Sequence, residues 1–172
     1  MSARGIVLGV LLAGLFLDGA RLSGHAQALA VADLLRMSEP ELDALYRRSP
    51  PAPMPPGRVR GTVLLRTGTN LARPLAAGAR AVWQGKRFDP AESSATNRFF
   101  GLPVVSAQVS SGPSWLDGGP ALILDYSQTS LVYARYRDEI RQVAPGLFLG
   151  RMYDRATSPP ALKMVFALES RP

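Results

Sequence analysis

Residues 132–153 read VYARYRDEIRQVAPGLFLGRMY, and their alternation decides the fold. Between Val132 and Val143, Ala134, Tyr136, Asp138 and Ile140 fall on one face of an extended chain, and Arg135, Arg137, Glu139 and Arg141 on the other. Period two is the pleat of a β-strand, because successive side chains leave opposite faces. Ala144-Pro145-Gly146 supplies a tight turn, and Leu147–Tyr153 returns as the second strand of a hairpin. An acid on the same face as a tyrosine and an isoleucine is the unusual outcome. If that face points inward, Asp138 is buried and needs a partner.

The same period recurs outward from this hairpin. From Arg58, Val59, Gly61, Val63 and Leu65 alternate with Arg60, Thr62, Leu64 and Arg66. Val105, Ala107 and Val109 oppose Ser106, Gln108 and Ser110, while Leu162, Met164, Phe166 and Leu168 oppose Lys163 and Glu169. Val82–Phe88, Asn97–Phe100 and Ala121–Tyr126 complete about eight strands, most of them separated by turn chemistry such as Asp89-Pro90, Gly112-Pro113 and Asp117-Gly118-Gly119. Leu71–Ala81, rich in alanine with Pro74 and Gly78 inside, reads as a loose helix or a lid-like loop. Ahead of the strands, Ser38-Glu39-Pro40-Glu41 has the pattern of a capping box, and Leu42, Leu45 and Tyr46 share one helical face. Ser49–Gly57, SPPAPMPPG, is a stiff connector. Many short strands, tight turns and little helix predict a mainly β domain, an antiparallel up-and-down barrel over 58–172 with a short N-terminal helix and connector over 29–57.

The first twenty-eight residues carry a different pattern. Arg4, the apolar run Gly5–Leu17 and the A-x-A of Ala26-Gln27-Ala28 predict a cleaved signal peptide over 1–28. The apolar run is short of the ~20 residues that a membrane-spanning helix needs. Cleavage would remove His25, the single histidine, from a chain that has no cysteine. A chain of that composition has no Ser-His-Asp triad, no thiolate nucleophile and no ordinary zinc site. Without Arg4, Arg21 and Asp18, eighteen basic and twelve acidic residues remain, a charge near +6. The positive charges are scattered and lack a nucleic-acid-binding signature, so they predict a solvated surface with at most peripheral association with the cell envelope. Export predicts a periplasmic or secreted monomer that needs no metal or cofactor.

Three segments hold side chains suited to a site. Asp138 can be a ligand anchor or a general base, or the partner of an inward arginine or tyrosine that fixes strand register. Asp125-Tyr126-Ser127-Gln128-Thr129-Ser130 concentrates polar groups after an apolar strand, as turn chemistry or as the lining of a pocket mouth. In Trp83-Gln84-Gly85-Lys86-Arg87-Phe88 an indole, a glycine and a cation come together. Trp83 would sit at a cavity edge with its N–H partnered, and Trp115 would cover the opposite end.

The motifs W-x-G-K-x-F at 83–88, SWLDG at 114–118, LDYSxTS at 124–130 and RDEIRxVAPGLxLG at 137–150 resemble a group of uncharacterised bacterial exported proteins. Their order is similar to that in small lipocalin-like, calycin-type barrel domains, in which the hairpin ends as Leu149-Gly150-Arg151-Met152 does here. The resemblance implies a barrel and no particular activity. The room inside an eight-stranded barrel gives the leading functional expectation, a small hydrophobic or amphipathic ligand lined by Trp83, Tyr126, Tyr136, Met152 and Phe166, with Lys86, Arg137 or Asp138 at a polar end. The alternatives are a cofactor-free isomerase, lyase or hydrolase using Asp138 or Glu139 with Tyr126, and a solid barrel acting as an envelope interaction module.

Overall fold

The computed structural model describes residues 29–170; the predicted signal peptide, 1–28, lies outside the described residues. In chain order the elements are α1 (Val31–Leu34), α2 (Glu39–Arg48), β1 (Gly57–Val63), α3 (Ala72–Val82), β2 (Trp83–Asp89), β3 (Ser94–Phe99), β4 (Leu102–Pro113), β5 (Pro120–Asp125), β6 (Tyr136–Ala144), β7 (Leu147–Asp154) and β8 (Ala161–Ser170). The eight strands pair antiparallel with their sequence neighbours, and β1 pairs with β8 to close the barrel. Closure leaves no strand edge unpaired. This is the architecture that the alternating stretches predict, and it is consistent with a lipocalin-like barrel.

The interior is packed at one end and open at the other. Val59, Phe88, Ala95, Val109, Leu122, Ile140, Phe148 and Leu168 fill the end where β1 begins and β8 finishes. The proline-rich connector is the floor of that end. Ala52 and Met54 pack on the interior cluster, and the Pro50 carbonyl accepts the Gln142 N–H at 3.2 Å. A second apolar cluster lies outside the wall, where Leu42, Leu45 and Tyr46 of α2 cover Leu147, Leu149 and Ala167 of β7 and β8. The α2 N-terminus is closed as its sequence predicts, with the Ser38 N–H donating to Glu41 Oε2 at 2.7 Å.

Several local expectations change. Of the two forms expected for 71–81 the helix holds, as α3 over Ala72–Val82, although Pro74 and Gly78 lie within it; Pro74 sits in its first turn, where a missing N–H costs nothing. The strand expected from Val132 begins at Tyr136, and Val132–Arg135 form a turn instead. Leu162 leaves the inward row, because Tyr153 pairs with it while Met152 pairs with Met164, so a bulge at Lys163 shifts the phase by one residue. Trp115 covers no end of the barrel. It lies on the outer wall, edge-on to Tyr153 at 5.6 Å, with the Arg137 guanidinium 4.3 Å from its ring centre. The surface is less solvated than scattered charge suggested, since Arg141 and Arg151 are buried beneath α2.

Candidate functional site

Halfway up the barrel the interior turns polar. β2 contributes Trp83 and Lys86, β3 contributes Asn97, β6 contributes Asp138, and Tyr126 follows the end of β5. All five are inward and buried. The Lys86 Nζ lies 2.8 Å from Asp138 Oδ2 and donates to Asn97 Oδ1 at 2.7 Å. It also lies 2.9 Å from the Tyr126 hydroxyl, which donates to Asp138 Oδ2 at 2.7 Å. Asn97 closes the circuit by donating through Nδ2 to Tyr126 at 2.9 Å and accepting Trp83 Nε1–H at 3.0 Å. Asn97 Nδ2 also donates to the Val105 carbonyl at 3.3 Å. Val105 is the extra residue of a bulge between β3 and β4, and it holds φ at 60°, a conformation costly for a β-branched side chain.

The electrostatics follow from burial. Desolvation lowers the Lys86 ammonium below the ordinary lysine value, with Asp138 pulling it back. Desolvation first, and then the Asp138 carboxylate, push the Tyr126 phenol well above its usual value. Lys86 is further embraced by the rings of Trp83, Tyr126 and Phe166, each 5.4–5.6 Å from Nζ. One atom is left over: Asp138 Oδ1 is buried and has no hydrogen-bond partner among the described residues. A buried acceptor in that state is costly unless another donor reaches it.

Above this network the barrel holds a cavity of about 480 Å³, open at the end where α3 joins β1 to β2. Trp83, Tyr126, Tyr136, Asp138 and Met152, all predicted from sequence, line it. Phe166 and Lys86 sit beneath, as part of the base. Sequence reasoning missed Asn97, Phe99, Tyr133 and Met164, and it missed that α3 contributes Ala79 and Val82 to the wall. Tyr133 packs on Phe99, Tyr126 and Tyr136 at centroid distances of 5.5–6.1 Å. Its only sequence signal is an aromatic beside a polar turn, and the alternation from Val132 predicts a strand there where the structure has a turn.

Arg137 and Glu139 stand apart, on the outer face of β6. Glu139 is fully buried there and accepts from Ser114 Oγ at 2.5 Å and from the Trp115 N–H at 2.9 Å, with Arg137 Nη2 at 3.2 Å. The polar stretch after β5 is turn chemistry, with the Ser127 N–H donating to Asp125 Oδ1 at 2.8 Å and Thr129 Oγ1 to the Ser106 carbonyl at 2.5 Å. Among the described residues no group of three His, Cys, Asp or Glu side chains is placed to hold a metal ion.

Among solved structures, a protein from Thermomonospora curvata has a similar fold. Its TM-score is 0.57 at 20% identity, over 83% of this chain and 96% of that one. Identity at that level carries the barrel and nothing of the site. No family model matches the chain, and no curated protein does.

Proposed function

We propose that this is an exported binding protein that holds one small amphipathic molecule in its barrel. The observation that carries the reading is Asp138 Oδ1, a buried, unpartnered carboxylate oxygen in the lining of an aromatic cavity of about 480 Å³. Pockets of ~300–1,000 Å³ with apolar walls and a few fixed polar groups suit small organic ligands. The Lys86 ammonium already balances Asp138, and Lys163, which also lines the cavity, lies 3.7 Å from Asp154, so the complement is a neutral donor, an alcohol, phenol or amide N–H, on a ring-sized apolar body. Donation to Oδ1 would remove the unpaired acceptor and orient the ligand with its apolar part between Tyr133, Phe99 and Met164. Residues 1–28 supply the export, with the periplasm or the exterior as the place of action.

The test is titration of the protein, carrying Trp115→Phe as a common background, with a series of neutral phenols and of isosteric compounds lacking the hydroxyl, read through the fluorescence of Trp83. Saturable binding of the phenols, weakened about tenfold or more in Asp138→Asn or for the deoxy compounds, is the expected result. Indifference to both changes, or no saturable binding by any member, overturns the proposal. A catalyst using Asp138 as a base would instead turn its substrate over, and Asp138→Asn would abolish turnover while leaving affinity nearly intact.

A further inference from the structure

Ten of the eleven large apolar side chains exposed among the described residues lie at the cavity-mouth end of the barrel; Trp115 is the exception. Six of them occupy three adjacent tips: Leu75 and Val82 on α3, Phe100 and Leu102 at the β3–β4 turn, and Leu131 and Val132 in the β5–β6 connection. The tips touch. The Phe100 N–H donates to the Val82 carbonyl at 2.9 Å, and Phe99 stacks on Tyr133 at 6.1 Å. Phe100 is 72% exposed and Val132 78%. Isolated exposed apolar residues need no explanation, but a contiguous arc around an opening does.

Beside the arc runs a groove of the opposite chemistry. Among the described residues, Arg58, Arg60, Arg80 and Arg98, with Val59 and Gln84, line an outer hollow of about 410 Å³; the nearest acid in register is Glu169 of β8, opposite Arg60. Among the described residues none of these four arginines is in an ion pair, whereas Arg137, Arg141, Arg151 and Arg155 on the β6–β7 side are each matched to an acid. Arg80 Nε is buried without an acceptor. In register, Arg60 faces Gly85 and Gly85 faces Arg98, so no side chain stands between the two guanidinium-bearing positions. Gln84 joins groove and arc, donating to the α3 carbonyls of Arg80 and Ala81 and accepting the Gly101 N–H at 2.9 Å.

We propose that the mouth end docks on an anionic phospholipid surface. Lipid phosphates occupy the arginine groove, the apolar arc enters the acyl boundary, and the cavity opens onto the bilayer. Exposed apolar tips around the mouth, and a run of arginines down the wall beside it, supply the two terms that hold a peripheral protein at a membrane. A soluble anion would use the groove and leave the arc unexplained. A purely apolar protein partner would leave the four cations unexplained. That the cavity takes its ligand from the membrane rests on the binding role proposed above; the docking itself does not.

The chain lacks cysteine, so a single introduced one places a single reporter. Phe100→Cys, and Glu92→Cys at the opposite end, are labelled with an environment-sensitive fluorophore in the full chain and mixed with phosphatidylglycerol or phosphatidylcholine vesicles. The apolar run at 5–17 is common to every arm, so position and charge dependence are the readouts. The label at 100 is expected to brighten on phosphatidylglycerol and the label at 92 to stay unchanged. Adding Arg60→Gln, Arg80→Gln and Arg98→Gln should raise the lipid concentration for half-binding by roughly tenfold to a hundredfold. An equal response at both positions, an equal response on phosphatidylcholine, or indifference to the arginine changes overturns the proposal. So does brightening with protein concentration in the absence of vesicles, which would make the arc an interface between copies. Phenol binding read at Trp83 without vesicles fails or succeeds independently, and so separates the two proposals.

Discussion

At the scale of the residue, the interior depends on a buried ion pair that cannot be dismantled from one side. Lys86→Met leaves Asp138 and Tyr126 without their cation and should destabilise the fold by about 3–5 kcal/mol in urea unfolding. Lys86→Met with Asp138→Leu should cost less than the two single changes together, because no unpaired charge remains. Two large rings depend equally on having no side chain beneath them. A Cβ on Gly61 would meet the Trp83 ring at 2.5 Å and the Gly85 Cα at 2.6 Å, and one on Gly150 would enter the Phe166 ring. Gly61→Ala is therefore expected to cost about 1–3 kcal/mol, seen as a lower denaturant midpoint, since the backbone side of that contact has no rotamer to yield. The alternation around Asp138 showed in the sequence that an acid might be inward; that its partners are a lysine from β2 and a tyrosine past β5 did not show. Those residues are fifty-two and twelve positions away, and only strand register brings them together.

At the scale of the element, α2 is the part whose sequence described it best. Its capping box, its apolar stripe and its stop at Ser49 are all local. What fastens it is not local. Arg141 reaches from β6 to accept nothing and donate to five acceptors: the carbonyls of Tyr46 and Arg47 at the C-terminal end of α2, the carbonyl of Pro120, and both oxygens of Asp117. Arg141→Met should therefore cost about 3 kcal/mol and speed amide hydrogen exchange in α2 ahead of the barrel strands. The β6 pattern also shows where period two runs out as a guide. Both of its faces are buried, one by the cavity and one by α2 and the β4–β5 turn, so its outward charges belong to a packed network rather than to solvent. At Val105 and Lys163 single-residue bulges shift the inward row, and neither position carries a glycine that would have announced one.

At the scale of the whole molecule, four of the five tyrosines are held above the ordinary phenol value, each mainly by burial. In the unfolded chain these groups ionise near the ordinary phenol value of about 10, while in the fold they stay protonated. The unfolded state then binds fewer protons, so stability falls as pH rises above that value. The expected outcome is cooperative alkaline unfolding in which tyrosinate absorbance and loss of far-ultraviolet circular dichroism rise together; tyrosinate forming first, in a folded barrel, would contradict it. By itself the sequence determined the number and direction of strands, the N-terminal helix and the absence of imidazole or thiol chemistry from residues 29–172, because alternation, caps and composition are properties of neighbouring residues. Only the tertiary structure decided which acid keeps a free oxygen, that α3 walls the cavity, that a proline-rich connector floors the packed end of the barrel, and that Arg58, Arg60, Arg80 and Arg98 line one hollow. Each of those depends on barrel closure, which sets residues far apart in the chain a few ångströms from one another.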